Sequence, residues 1–264
     1  MSSEIIGLEE WLETPPGRYL LEWEQAQFDQ AVADVFGYHA VQLGLPQIDA
    51  LRGNRMPHRW LAADHLPAQR QPALMTDFAA LPFEANSLDL VVLPHALELN
   101  PDPHATLREV ERVLVPEGKV VICGLNPTSL WGWRQRRARL YRSLGFGELF
   151  LPEAGDFIGY WRMRDWLRLL SFEVESGRFG VYRPAVQSQA WLDRYRWLDG
   201  AGERWWPIFG AVYFVVAVKR VRGMTMLQAN WKRKPSIAAA PVPIAGRVHH
   251  GSTHHRKKTK EIIR

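Results

Sequence analysis

The sequence predicts an α/β fold with a mostly parallel sheet, and the stretch from Ala73 to Pro127 provides the main observations. Leu88–Leu93 is apolar except for Asp89, which is typical of a strand buried on both faces of a parallel sheet. His104–Leu114 has apolar residues at helical spacing, with charged residues on the opposite side. Lys119–Cys123 is a second apolar, β-branched strand. Two strands joined by a helix form a right-handed crossover unit, so the two are expected to be parallel.

The composition places the chain among ordinary globular proteins. It has 264 residues, enough to bury a substantial core. Its single cysteine, Cys123, cannot form an internal disulfide, as expected in a reducing compartment. No signal peptide is visible at the N-terminus. The longest apolar run, Gly210–Val218, is too short to span a membrane. A cytoplasmic location is therefore predicted.

The positive charge of the chain is concentrated at its end. From Lys219 onward there are 12 Lys and Arg residues and one acid, whereas residues 1–218 carry 21 Lys and Arg against 27 acids. A basic tail can contact nucleic acid or an anionic surface. The alternative, a disordered solubilising end, is favoured for residues 223–264.

The first half of the chain is predicted as a helical segment followed by three strands. Residues 1–35 are mostly helical, interrupted at Pro15-Pro16-Gly17. The predicted strands end just before candidate polar or turn residues; they are His39–Gly44, Arg59–Ala63 before Asp64, and Ala73–Thr76 before Asp77.

The second half alternates aromatic, basic helices with two strands. Its predicted elements are the Arg-rich helix Ser129–Arg142, the helix Phe157–Leu170, the strand Ser171–Ser176, the Trp-rich helical segment Gln189–Trp206, and the final strand Gly210–Lys219. Arginine beside tryptophan suits an anionic or aromatic substrate, or a membrane surface. The alternative is a solvated basic helix whose tryptophans pack in the core.

Several short motifs occur in a fixed order within the central stretch. Asp77 precedes Leu81-Pro82-Phe83, and Ser87–Val91 reads SLDLV. Leu107–Leu114 reads LREVERVL, and Pro116-Glu117-Gly118 follows. In this order the motifs resemble class I S-adenosylmethionine-dependent methyltransferases, and most closely the small-molecule group called type 11.

The resemblance implies a Rossmann-like methyltransferase fold. This fold has a mostly parallel seven-stranded sheet with one antiparallel strand, and helices on both faces. The methyltransferase-like domain would cover residues 36–222, with Trp/Arg-rich insertions at about 128–165 and 187–207.

The glycine-rich loop of the family is altered in this sequence. The family pattern is an acid, any residue, then GxGxG, and its glycines let the backbone approach the methionine part of the cofactor. Here Gln42 occupies the acid position, and Gly44 is the first glycine. Pro46 and Ile48 replace the other two. Gln42 lacks the charge of a carboxylate, and Pro46 lacks an N–H.

The resemblance implies further cofactor contacts at the ends of the next strands. Asp64 would hold the ribose hydroxyls, because a carboxylate can accept two hydrogen bonds from a vicinal diol. Asp77 would contact the adenine amino group, with Phe78 beside the ring, and Pro94 ends the fourth strand at the same edge. The alternatives are a surface-turn acid at Asp64 and an N-cap at Asp77.

The resemblance also places candidate catalytic and substrate-side residues. His95 follows the fourth strand, where it would orient a substrate or act as a general base; the alternative is a packed histidine. Asn126, Trp131 and Arg134 would lie on the substrate side. No metal site is predicted, because the histidines near the end of the chain lack completing ligands.

Two functional hypotheses follow. The first is an enzyme that transfers a methyl group from S-adenosylmethionine to a small-molecule substrate; such a transfer depends mainly on alignment and needs no dedicated nucleophile. The second is a non-catalytic binding or scaffold protein that has lost cofactor binding. The altered loop motivates the second hypothesis, and the motifs after it motivate the first.

Overall fold

The computed structural model describes residues 3–66, 70–143, 150–151 and 157–221. The chain divides into two units, Met1–Arg222 and Gly223–Arg264. The predicted basic tail, residues 223–264, lies outside the described residues. In the described ranges, no helix is long and apolar enough to cross a membrane.

A seven-stranded sheet forms the centre of the first unit. Its strands are β1 (His39–Leu43), β2 (His58–Ala63), β3 (Leu74–Met75), β4 (Leu88–Pro94), β5 (Leu114–Leu125), β6 (Phe172–Gly180) and β7 (Val212–Lys219). The order across the sheet is β3-β2-β1-β4-β5-β7-β6. Strands β1 to β5 are parallel, and β7 runs antiparallel to both β5 and β6. The predicted fold, with one late antiparallel strand, is confirmed.

Helices cover both faces of the sheet. They are α1 (Ser3–Leu12), α2 (Pro15–Ala33), α3 (Ala96–Leu99), α4 (Pro103–Val113), α5 (Leu130–Ser143), α6 (Tyr160–Leu169), α7 (Gln189–Arg194) and α8 (Trp197–Trp205), with a 3₁₀ turn at Pro207–Phe209. Alternate residues of β4 point to opposite faces: Leu90 and Val92 pack in the layer of α1 and α2, Val91 and Leu93 in the layer of α4 and α6.

The N-terminal helical segment is broken where the prolines predict. Thr14 caps α2, and its hydroxyl accepts a hydrogen bond from the Gly17 N–H at 3.4 Å. Pro15 takes the first helical position, where no N–H is needed. The helix that follows therefore starts at a fixed point and lies on the sheet.

Strand β5 begins earlier than the sequence predicts. The strand was expected at Lys119, after a turn at Pro116-Glu117-Gly118, but pairing already starts at Leu114, opposite Leu88. The register shifts before Leu90 pairs with Lys119. The intervening residues form an irregularity in which Glu117 has a φ of 65°. Because the turn is absorbed into the strand, no separate loop is needed.

The family-like motifs are held together by an ion pair on α4. The Glu109 carboxylate accepts a hydrogen bond from the Leu81 N–H at 3.1 Å. The Arg112 guanidinium donates to the carbonyls of Leu81 and Phe83, both at 3.0 Å, and pairs with Glu109 at 2.8 Å. The LREVERVL motif therefore fixes the turn after β3, just beyond Phe78.

Candidate active site

A pocket lies at the carboxyl edge of the parallel strands, where ligands bind in open α/β sheets. Its empty space of about 390 Å³ includes space that is open to solvent. Three predicted cofactor residues line it: Gly44 after β1, Asp64 after β2, and Phe78 after β3. Leu8 of α1 and Gln47 line it as well. The structure thus brings together residues from three strand ends.

Gly44 begins the loop that forms one wall of this pocket. Its φ is 75°, in the left-handed region that favours glycine. Its N–H donates to the Ala62 carbonyl at 2.8 Å, which ties the start of the loop to β2. The positive φ therefore explains why a glycine occupies the first position of the altered motif.

Gln42 is buried beneath the loop, and its side-chain amide forms hydrogen bonds with backbone groups of that loop. Its amide nitrogen donates to the carbonyls of Gly44, Leu45 and Ile48 at 3.1, 3.0 and 2.9 Å. Its amide oxygen accepts from the Ala50 N–H at 3.0 Å. Only 2% of Gln42 is exposed. An amide fits this position because it can donate to carbonyls, which a carboxylate cannot do.

Gln47 is a residue that the sequence analysis did not select. Both polar atoms of its side-chain amide are buried and have no hydrogen-bond partner among the residues that the structure describes. The residue lines the pocket three positions after Gly44. A buried amide without partners costs free energy, so this donor and acceptor suit a bound polar group.

Two predicted acids, Asp64 and Asp77, have different surroundings. Asp64 lines the pocket and pairs with the Nδ1 atom of His65 at 2.6 Å. Asp77 is exposed, and its carboxylate accepts from the Ala79 N–H at 2.8 Å, within the turn that follows β3. The roles of both acids toward a cofactor stay predictions.

His95 lies at the end of β4 in a buried cluster of ionisable groups. Its Nδ1 atom lies 2.8 Å from Oε2 of Glu98, and its Nε2 atom lies 2.7 Å from Oε1 of Glu24 on α2. The other oxygen of Glu98 accepts from the Leu125 N–H at 2.5 Å. Pro94, just before His95, is buried in β4. The imidazole is thus held between two carboxylates and does not line the pocket.

The pKa values of His95, Glu98 and Cys123 are all raised in this cluster. Burial lowers the pKa of His95, but Glu24 and Glu98 outweigh burial and raise the pKa to about 10. Burial raises the pKa of Glu98, partly offset by its bond to His95. Burial, reinforced by Glu24, also raises the pKa of the Cys123 thiol. At neutral pH, His95 is therefore an imidazolium that donates from both nitrogens.

Glu24, His95 and Cys123 also offer donor types that metals use. Their ligand atoms lie within 4.8 Å of one another. However, two ligands of one tetrahedral zinc ion lie about 3.3 Å apart, and the His95–Glu24 separation of 2.7 Å is that of a hydrogen bond. The geometry therefore fits a proton-bridged ion pair.

The predicted substrate-side residues join three segments of the carboxyl edge. The Asn126 amide donates to the carbonyls of Ile208 and Gly210 at 2.7 and 2.9 Å. The Trp131 indole donates to the Arg183 carbonyl at 2.7 Å, and Arg134 donates to the Ala185 carbonyl. Asn126 and Trp131 are buried. These contacts hold α5 in place, and a role toward substrate stays a prediction.

Glu24 is the other residue that sequence reasoning missed. It is fully buried on the apolar face of α2, four residues from Leu20 and four from Phe28. A charged residue at such a position requires a buried partner, and this was the available signal. Its partner, His95, lies 71 residues away, beyond the reach of local patterns.

Comparison with known proteins supports the family suggested by the motifs. A family model described as a methyltransferase domain matches residues 56–122. A demethylmenaquinone methyltransferase from Chlamydia pneumoniae is 37% identical over 67 residues, covering 25% of this chain and 29% of that protein. An uncharacterised Escherichia coli K12 protein, YafS, is 28% identical over 240 residues, covering 89% of this chain and 91% of that protein.

A solved structure shares the fold. It is a chain of the complex between the Haloferax volcanii Trm112 methyltransferase activator and a methyltransferase, with a TM-score of 0.55 and 19% identity. The match covers 84% of this chain and 99% of that chain. The chain therefore has a Rossmann-like methyltransferase fold, and its residues 56–122 match the methyltransferase domain family.

Proposed function

We propose that the protein is a methyltransferase that uses S-adenosylmethionine and acts on a small-molecule substrate. The observation that supports this most strongly is the pocket at the carboxyl edge, which combines Gly44, Asp64 and Phe78 with the unpartnered amide of Gln47. Bound S-adenosylmethionine would supply an activated methyl group.

The pocket residues fit the polar groups of this cofactor. Asp64 offers a carboxylate to ribose hydroxyls, and Phe78 offers a ring edge or face to adenine. Gln47 offers both a donor and an acceptor. This combination matches an amino-acid end that carries an ammonium and a carboxylate. The loop after β1 is also the part of the fold that approaches the methionine portion.

The chain's contribution to the reaction would be binding and alignment. His95 carries a proton on each nitrogen at neutral pH, so it is not free to accept one. We assign His95 a positioning role: it links α2 to the end of β4, next to the pocket residue Ala96. Methyl transfer in line with an activated sulfonium gains most of its rate from such alignment.

The non-catalytic alternative is supported by the altered loop. Pro46 removes an N–H, and Gln42 turns three loop carbonyls inward instead of offering a carboxylate. The two hypotheses make opposite predictions about cofactor binding, because only the enzyme must bind S-adenosylmethionine.

The test is calorimetric titration of the full chain with S-adenosylmethionine and S-adenosylhomocysteine. The enzyme proposal expects micromolar binding that Asp64→Asn weakens by about tenfold, the value of one or two hydrogen bonds to a charged acceptor. Asp34→Asn, at the exposed end of α2, is the matched control and should bind normally. A folded wild-type protein that binds neither ligand would support the scaffold alternative.

A further inference from the structure

Six tryptophans of the described ranges have at least half of their surface exposed. They are Trp133 on α5, Trp161 on α6, Trp191 on α7, and Trp197, Trp205 and Trp206 in and after α8. Trp205 is 70% exposed and Trp133 is 66% exposed. Exposed indoles in such number mark an interaction surface rather than ordinary surface variation.

The topology brings all six to one edge of the sheet. The last residue of β6, Gly180, pairs with Val212, the first residue of β7, and Val212 also pairs with Leu125, the last residue of β5. The segment with α7 and α8 connects β6 to β7, and α5 follows β5, so both segments start at this carboxyl edge. Gly159, the N-cap of α6, lies against Pro127 at the same edge.

The two main segments are also in direct contact. The Trp131 indole and the Arg134 guanidinium of α5 both donate to carbonyls of the segment that leads to α7. Other exposed apolar side chains accompany the tryptophans; they are Leu130, Leu140, Tyr141, Ile208 and Phe209. We call this set of exposed aromatic and apolar residues, together with the six tryptophans, the aromatic edge.

The charge of the aromatic edge is positive, and α5 contributes most of it. Leu130–Ser143 contains five arginines and no acid. Residues 189–209 are balanced, with three arginines and three acids. Arg136 and Arg137 are exposed one helical turn from Trp133, and Leu140 follows after another turn. One tryptophan, two arginines and a leucine thus follow one another along the exposed side of one helix.

We propose that the aromatic edge binds an anionic phospholipid bilayer. Tryptophan favours the headgroup region, where its ring is buried and its N–H stays hydrated. Arginine beside it pairs with lipid phosphates. An acid-free helix that exposes both residue types matches this surface in charge and in chemistry. The six side chains are spread over four helices and none lines the pocket, which suits a bilayer better than a single peptide.

The test is co-sedimentation of the full chain with vesicles of phosphatidylcholine alone, or of phosphatidylcholine and phosphatidylglycerol in a ratio of about 3:1. Wild type should partition into the anionic vesicles about tenfold or more better than into the neutral ones. Trp133→Ser combined with Trp205→Ser should lower partitioning about tenfold. Arg136→Gln combined with Arg137→Gln should remove most of the preference for phosphatidylglycerol.

The matched control is Phe36→Ser combined with Leu169→Ser, two exposed apolar residues outside the aromatic edge. This control should bind vesicles like the wild type. Brominated phosphatidylcholine should quench the wild-type fluorescence more than that of the tryptophan variant. No vesicle binding by the wild type would overturn the proposal. Equal binding by the tryptophan variant would overturn it too, because it would assign binding to the basic tail. A vesicle-independent dimer that only the tryptophan variant breaks would identify a protein interface instead.

Discussion

Nε2 of His95 lies 2.7 Å from Oε1 of Glu24, and this contact joins the end of β4 to the middle of α2. Both residues are almost completely buried, with 2% and 0% of the side chain exposed. Removing His95 would leave the Glu24 charge buried without compensation. The contact therefore couples the N-terminal helix to the carboxyl edge of the sheet.

The first prediction concerns pH. The pKa of His95 is raised to about 10 in the folded protein, so its stabilising contribution is complete below the ordinary histidine pKa of about 6.5. It is lost as pH rises through about 10. The raised pKa of Glu98 acts in the same direction. Ionising this buried carboxyl is harder in the folded protein than in the unfolded one, so the folded protein loses stability as pH rises.

The variant that isolates this effect is His95→Asn, because asparagine tolerates the φ of 52° at this position and does not titrate. We expect the free energy of unfolding of wild type to exceed that of the variant by a few kcal/mol at pH 6.5, about the cost of breaking a buried ion pair. The difference should shrink steadily toward pH 10. Denaturant unfolding at several pH values measures it, and parallel pH profiles would contradict the assigned ion pair.

The second prediction concerns Gln47. Gln47→Leu keeps the size of the side chain and removes both polar atoms, so binding of S-adenosylmethionine should weaken about tenfold. Binding of 5′-methylthioadenosine, which lacks the amino-acid end, should change less than about twofold. Calorimetry with both ligands provides the measurement. Equal losses for the two ligands would place Gln47 at the nucleoside instead.

The third prediction concerns the buried Lys219 at the end of β7. Its ammonium donates to Asn86 Oδ1 and to the carbonyls of Glu111 and Leu114, at 3.0, 2.6 and 2.8 Å. Lys219→Met should lower the free energy of unfolding by about 2–3 kcal/mol, because the buried Leu114 carbonyl and the part-buried Glu111 carbonyl lose their donor. Thermal or denaturant unfolding would measure this loss.

Lys119→Met is the comparison for that experiment. Lys119 is partly exposed, with 32% of its side chain accessible, and pairs with Glu175 at 2.7 Å. Its replacement should cost less than about 1 kcal/mol. Equal effects at the two lysines would show that burial does not determine the cost.

The fourth prediction concerns the turn held by α4. Arg112→Ala should cost about 1–2 kcal/mol, because the guanidinium donates to two carbonyls of the Leu81–Phe83 turn. Arg108→Ala on the same helix should cost little, since Arg108 is exposed and donates to the His104 carbonyl of its own helix. If Arg112→Ala is as mild as Arg108→Ala, the motif does not hold the turn.

The fold was predictable because its signals are local. Windows of about a dozen residues are enough to recognise the apolar strands β4 and β7 and the amphipathic helix α4. The order of the motifs along the chain then predicted the parallel topology. The predicted start of β5 was wrong. A strand that contains Pro116 and a positive φ at Glu117 does not show the regular alternation of side chains by which strands are recognised.

The site was less predictable because its members meet only in space. Gly44, Asp64 and Phe78 line one pocket, as their strand-end positions suggested. The ion pair of His95 with Glu24 depends on how α2 lies on the sheet, and no local sequence pattern predicts it. The partnerless amide of Gln47 likewise becomes visible only when its surroundings are known.

The hydrogen bonds of Gln42 determine which side chains the loop after β1 can accept at position 42. A carboxylate at position 42 would face the carbonyl oxygens of Gly44, Leu45 and Ile48, each about 3 Å away, with no proton to share. This loop conformation is therefore compatible with an amide at position 42 and not with the acid of the family pattern. An acidic side chain there would require the loop to turn its carbonyls away.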